Sequence, residues 1–178
     1  MTRRKGRPMP RIYVCPLSKL PETLRVSGAR SLITLVDKGT PVSRPAAVAP
    51  GLHLALNFSD ITVETAGHML VSSSHVERLL AFVRRWDQAA PLLIHCFAGV
   101  SRSTAAAYIA ACALLPQQDE ARLALALRKI SPTATPNARL IDIADAVLMR
   151  QGRMVEAIAS IGRGRDCAEA SPFALELR

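Results

Sequence analysis

His95-Cys96 is followed by five residues and then by Arg102-Ser103, so a thiol and a guanidinium stand six positions apart across a short stretch that contains Gly99. Each of these types has a task at a phosphoryl group. Cys96, as a thiolate, would attack phosphorus and form a cysteinyl-phosphate intermediate. Arg102 would grip two equatorial phosphoryl oxygens with its planar fork, more strongly as charge spreads in the transition state. Gly99 lets the backbone bend so that amides face the anion. Ser103 can donate a hydrogen bond to the thiolate and ease its departure in a second step. His95 is expected to hold the loop through hydrogen bonds rather than to carry protons.

The elements around this stretch suit that chemistry. Leu92 to His95 is an apolar run that reads as a buried strand, and Ser103 to Leu115 is an alanine-rich run that reads as a buried helix ended by Pro116. The loop between them can turn its N–H groups toward one point in front of a helix N-terminus, which already favours an anion. A thiol there should ionise more easily than a free one. Cys112, among alanines on the helix, reads as a structural core residue.

Upstream, Ile12 to Cys15 reads as a strand stopped by Pro16, and Ser18 to Ser27 as a short helix with Pro21 near its first turn and Gly28 closing it. Leu32 to Val36 and Leu52 to Phe58 read as two further strands separated by a proline-containing loop. Val76, Leu79, Leu80, Val83 and Trp86 share one face of an amphipathic helix that begins near Ser72 and is broken before Pro91. Downstream, Asp119 to Ile130 forms a helix, and Asn137 caps another that runs on toward Ile161. Strands alternating with helices, then mostly helices, predict a single α/β domain with a central, mainly parallel sheet of four or five strands flanked by helices. The domain is expected over residues 12–161, between a basic tail, 1–11, and a segment of unassigned structure, 162–178.

The run His95-Cys96-Phe97-Ala98-Gly99-Val100-Ser101-Arg102-Ser103 resembles the HCx5R[S/T] loop of cysteine-dependent protein tyrosine phosphatases, and its second half resembles the dual-specificity branch. The resemblance implies that Phe97, Ala98, Gly99, Val100 and Ser101 line the phosphate site together with Arg102, and that no metal or cofactor is needed. It also implies an aspartic acid on a separate loop as general acid. Asp60 lies 36 residues before Cys96 at a strand end and suits that role, with Glu64 in reserve and Asp37 third. Pro136-Asn137 is similar to a Pro-Asn pair whose asparagine braces the phosphate loop in dual-specificity enzymes, while a plain helix N-cap explains Asn137 equally well. The Trp-Pro-Asp signature of the larger tyrosine-specific enzymes is absent, as is any segment of the Lys-Asn-Arg-Tyr type. Strict phosphotyrosine specificity is therefore not expected.

These residues imply a phosphomonoester hydrolase of the tyrosine or dual-specificity kind, with a phosphorylated protein, phosphotyrosine above all, as substrate. Two alternatives stay open: a phosphate-binding module without turnover, and a phosphatase of inositol phosphate, phospholipid or an RNA 5′ end. The loop positions between Cys96 and Arg102 contain no lysine or histidine, which argues against the last group. Nucleic acid or acidic lipid as partner is compatible with the net charge of +9 and has no other support, since aromatic residues make up only 4% of the chain. The longest uncharged apolar run, Thr104 to Leu115, is too short to span a bilayer, so no integral membrane protein is expected. Cys15, Cys96, Cys112 and Cys167 show no metal-type spacing, and a reducing cytoplasm is the simplest setting. Cys15 or Cys112 could in principle shield an oxidised Cys96 as a disulfide.

Overall fold

The computed structural model describes residues 9–178, so the Arg3-Arg4-Lys5-Arg7 part of the basic tail lies outside the described residues. In chain order the elements are β1 (Arg11–Pro16), α1 (Leu20–Ser27), β2 (Ser31–Val36), β3 (His53–Asn57), α2 (Ser73–Arg85), β4 (Leu92–Cys96), α3 (Arg102–Leu114), α4 (Glu120–Ile130), α5 (Ala138–Val147), α6 (Arg153–Ile161) and β5 (Phe173–Glu176). The sheet order is β3-β2-β4-β1-β5. Strands β1 to β4 pair in parallel, and β5 joins β1 antiparallel at one edge. The mainly parallel α/β sheet of four or five strands expected from the sequence is therefore present, with five.

Side-chain alternation along the strands divides the interior in two. Ile12, Val14, Ile33, Leu35, Leu92, Ile94 and Cys96 join the large core beneath α2 to α6. Cys15, Leu32 and Leu93 join a smaller core with Leu20, Leu24 and Val48, on the α1 side. Helix α3 runs through the middle of the larger layer, and Ala105, Ala106, Ala107, Ala110 and Ala111 are completely buried. Its alanines let neighbouring helices approach on all sides, which is why it shows no polar face.

Two stretches differ from their sequence reading. The helix begun at Asn137 does not run on to Ile161; it ends at Val147, and α6 starts afresh at Arg153. Met149, Gln151 and Gly152 all have positive φ, which interrupts the helical path. The Asp145 carboxylate then accepts from Gly152 N at 2.7 Å and Met154 N at 2.8 Å, satisfying the first turn of the new helix. The second stretch is the C-terminal segment, which carries no periodic signal. It wraps back across the molecule and supplies β5, with Ala174 opposite Tyr13 and Glu176 opposite Arg11.

A buried ion pair ties these helices together. Arg150 Nη1 meets Glu120 Oε1 at 2.8 Å, and its Nη2 donates to the Cys112 carbonyl at 2.8 Å. Burial alone would raise the Glu120 carboxyl, but its own backbone amide, Arg150 and Arg153 together hold it below the usual glutamate range. Arg150→Ala leaves that carboxylate to the more exposed Arg153 and its own backbone amide, and should cost about 2 kcal/mol of stability in urea unfolding at neutral pH. A carboxyl with a depressed folded pKa contributes above its unfolded value and loses that contribution as pH falls through the folded one. The gap between wild type and variant should therefore narrow toward acid.

Candidate active site

Three parallel strands end side by side, and the crevice beyond their carboxyl ends is where an open α/β sheet receives ligands. β2 runs out into Asp37, β3 into Phe58 and Asp60, and β4 ends on Cys96. The chain then loops through residues 97–101 and enters α3 at Arg102.

The loop's carbonyls are claimed by surrounding backbone and side chains. Phe97 O accepts from Leu17 N at 3.0 Å, and Ala98 O from Ala170 N at 2.9 Å. Val100 O accepts from Thr135 N at 2.9 Å and Thr104 Oγ1 at 2.6 Å, and Ser101 O from Asn137 N at 3.3 Å and Ala105 N at 3.0 Å. The described residues contain no cis peptide bond, and a planar trans peptide sets its N–H opposite its C=O. With the carbonyls turned outward, the amides of Ala98, Gly99, Ser101 and Arg102 turn inward. Gly99 N donates to Cys96 Sγ at 3.2 Å, in keeping with that direction. Gly99 has φ +72°, and a Cβ on it would lie 2.8 Å from Pro16 N. Only glycine fits against the end of β1.

Cys96 is 2% exposed, and its Sγ lies 3.0 Å from Ser103 Oγ. Arg102 is 5% exposed. Its Nη1 donates to Asp37 Oδ1 at 2.5 Å and to the Phe58 carbonyl at 2.7 Å, while its buried Nε has no partner among the described residues. A guanidinium anchored through one nitrogen with Nε unpaired keeps its other edge for a bidentate oxyanion. Burial would raise the Asp37 carboxyl, yet hydrogen bonds from Arg102 and Ser59 and the charges of Arg102 and His68 outweigh it and hold it below the usual carboxylate range. Beside Asp37 opens a groove of about 570 Å³ lined by Lys38, Ser59, Gly67, His68 and Met69.

Asp60 stands next to the loop: its Oδ1 accepts from Ser101 Oγ at 2.7 Å and Asn137 Nδ2 at 2.8 Å. Asn137 also caps α5, accepting from Leu140 N at 3.0 Å, so the brace and the N-cap are one residue doing both. Glu64, exposed, has no hydrogen bond or ion pair to the loop among the described residues. Phe97 is 65% exposed at the rim. The two other buried cysteines, Cys15 and Cys112, do not face Cys96. Cys15 belongs to the core on the opposite face of the sheet, and Cys112 lies about 15 Å along α3 from Arg102. Burial pushes both thiols up to about 12.

The residues singled out from sequence thus lie around one cleft, apart from Glu64 and from His95, whose side chain lies on the other face of the sheet. Three contributors carry no local signal: Asp37 as the partner of Arg102, the Phe58 carbonyl, and Ala170, whose amide reaches the loop from near the C-terminus. Asp37 is detectable only once β2 and β4 are known to be parallel neighbours.

No protein-family model and no curated protein sequence matches the chain. Solved structures do. The Cydia pomonella PTP-2 phosphatase superposes with a TM-score of 0.56 at 19% identity, covering 76% of this chain and 84% of that one. A mouse putative dual specificity phosphatase, complexed with zinc tungstate, gives 0.54 at 22% identity over 77% and 79%. Human DUSP28 gives 0.56 at 18% identity over 79% and 89%. At such identities the likeness is one of architecture, and the chain has the fold of the cysteine-dependent protein tyrosine phosphatase superfamily.

Proposed function

We propose that the protein hydrolyses phosphomonoesters through a cysteinyl-phosphate intermediate, with phosphorylated protein as substrate. The observation that carries this reading is the unpaired, buried Nε edge of Arg102 beside a thiol that already receives Gly99 N–H. A phosphoryl group on that edge would meet the inward amides and the N-terminus of α3 together.

The steps follow from the side chains. The Cys96 thiolate attacks phosphorus; the S–P bond forms as the ester O–P bond breaks, and Asp60 gives its proton to the leaving oxygen. With Oδ1 already accepting two hydrogen bonds, the transferable proton sits on Oδ2. Water then attacks the phosphocysteine, Asp60 takes up its proton, and the thiolate leaves with Ser103 Oγ as hydrogen-bond donor. Arg102 holds the equatorial oxygens throughout, while Asp37 keeps its Nη1 end in place.

Protein substrates are favoured over phosphoinositides because the loop side chains between Cys96 and Arg102 supply no cation for further phosphates. The exposed Phe97 at the rim offers an apolar surface to an aryl or peptide leaving group.

Wild-type protein should release phosphate from aryl phosphates and phosphotyrosyl peptides and be inhibited by vanadate. Cys96→Ser should abolish turnover, and Asp60→Ala should lower kcat by about 10²-fold on substrates with a poor leaving group, and less on aryl phosphates. Phosphopeptide binding with no phosphate released would replace this reading with that of a binding module. Asp37→Asn keeps an acceptor for Arg102 and removes a carboxylate that repels the phosphoryl dianion, so inorganic phosphate should inhibit about fivefold more tightly. Gly99→Ala, which drives a Cβ into the end of β1, should abolish turnover and also the binding of inorganic phosphate measured directly.

A further inference from the structure

His95 and Cys96 point to opposite faces of the sheet, as successive strand residues must. On the face away from the thiol, His95 is completely buried, and its Nε2 lies 2.8 Å from Thr34 Oγ1 on β2. Thr34 is also buried, and the same oxygen lies 2.9 Å from Nε2 of His53, the first residue of the edge strand β3. The other nitrogen of His95, Nδ1, faces the Cys96 carbonyl at 3.4 Å.

Hydrogen-bond chemistry gives this chain one direction. A carbonyl oxygen only accepts, so His95 Nδ1 carries a proton. Were Nε2 protonated as well, Thr34 would accept from His95, and its hydroxyl proton could go only to His53 Nε2. His95 would then be a fully buried cation with no carboxylate partner among the described residues. Burial, offset only in part by the Cys96 carbonyl, pushes its pKa down to about 4, so the ring is neutral and Nε2 is bare. Thr34 therefore donates to His95 and must accept from His53, whose Nε2 carries a proton. That donor is present whether the half-buried His53 ring is neutral or charged, so Arg44, the cation beside it, does not alter the direction.

We propose that His53 and Thr34 are positioning residues for the nucleophile loop: their relay, His53 Nε2–H to Thr34 O–H to His95 Nε2, locks His95 as its Nδ1–H tautomer and so holds the Cys96 peptide. The same bond polarises the peptide that Cys96 shares with Phe97, where the nucleophile loop begins. It also fixes the strand end from which Sγ projects. The catalytic effect of the relay rests on the phosphatase reading above, whereas the tautomer does not.

The test has two parts. In uniformly ¹⁵N-histidine-labelled wild-type protein, His95 should show a protonated Nδ1 and a bare Nε2, and His53 a protonated Nε2. An Nε2–H tautomer at His95 overturns the proposal, and this readout stands even if the protein proves inert toward every phosphate ester. In kinetics on an aryl phosphate, Thr34→Val should lower kcat by about fivefold, the worth of one hydrogen bond, with KM little changed. Thr34→Ser and His53→Gln, which keep the hydroxyl and the N–H donor, should retain wild-type rates, and His53→Leu should fall with Thr34→Val. Equal rates in Thr34→Val and wild type, or equal losses in Thr34→Ser and Thr34→Val, would overturn it.

Discussion

The contact on which the site depends is the one that holds Arg102 from behind. Asp37 and the Phe58 carbonyl take Nη1, from the ends of β2 and β3, and leave Nε unpaired in a buried position. A long cationic side chain loses considerable rotamer freedom when ordered, and a buried N–H without an acceptor is costly. Both costs are met before any ligand arrives, so an incoming oxyanion finds the fork already oriented. The cleft is thus pre-organised by the parallel arrangement of three strands, whose carboxyl ends bring Asp37, Asp60 and Cys96 into adjacent positions.

The loop is held in the same manner, from outside. Its carbonyls are bonded to residues from four separate regions: Leu17 after β1, Ala170 near the C-terminus, and Thr135 and Asn137 before α5, with Thr104 and Ala105 in α3 itself. The C-terminal segment therefore belongs to the cleft as well as to the sheet. Ala170 N bonds the loop, Glu169 Oε2 accepts from Ser18 Oγ at 2.7 Å, and β5 pairs antiparallel with β1. No helix among the described residues is long and apolar enough to cross a membrane, and the structure is organised instead around this one crevice.

What the sequence made legible was local. The strand, loop and helix of residues 92–114 lie within one continuous stretch, and their chemistry is written in types and spacing. Asp60 and Asn137 were reachable because each sits at an element boundary where its type is informative. Asp37 follows an earlier strand and is a third acid candidate by sequence, where nothing signals Arg102, 65 residues away across a strand pairing. The break between α5 and α6 is hidden in the sequence because Leu148 and Met149 continue an apolar pattern, whereas the backbone turns on Gly152 and the Asp145 carboxylate. β5 is hidden because a four-residue edge strand has too few residues to show alternation.

The division of labour between His95 and Cys96 follows from strand geometry. Neighbours on a strand face opposite ways, so the residue before Cys96 is obliged to act from the other core. There it meets no substrate and little water, and the only way it can influence the thiol is through the peptide they share. Thr34 lies beside it because β2 pairs with β4 in a register that sets Thr34 opposite His95. His53 comes within reach of the same hydroxyl from the start of β3, where β3 pairs with β2. The pairing that brings Asp37 to Arg102 at the strand ends thus also sets the hydroxyl beside the histidine within the sheet. A shift of one residue in the β2–β4 register would send Thr34 to the opposite face and carry Asp37 away from the guanidinium, disabling both supports at once.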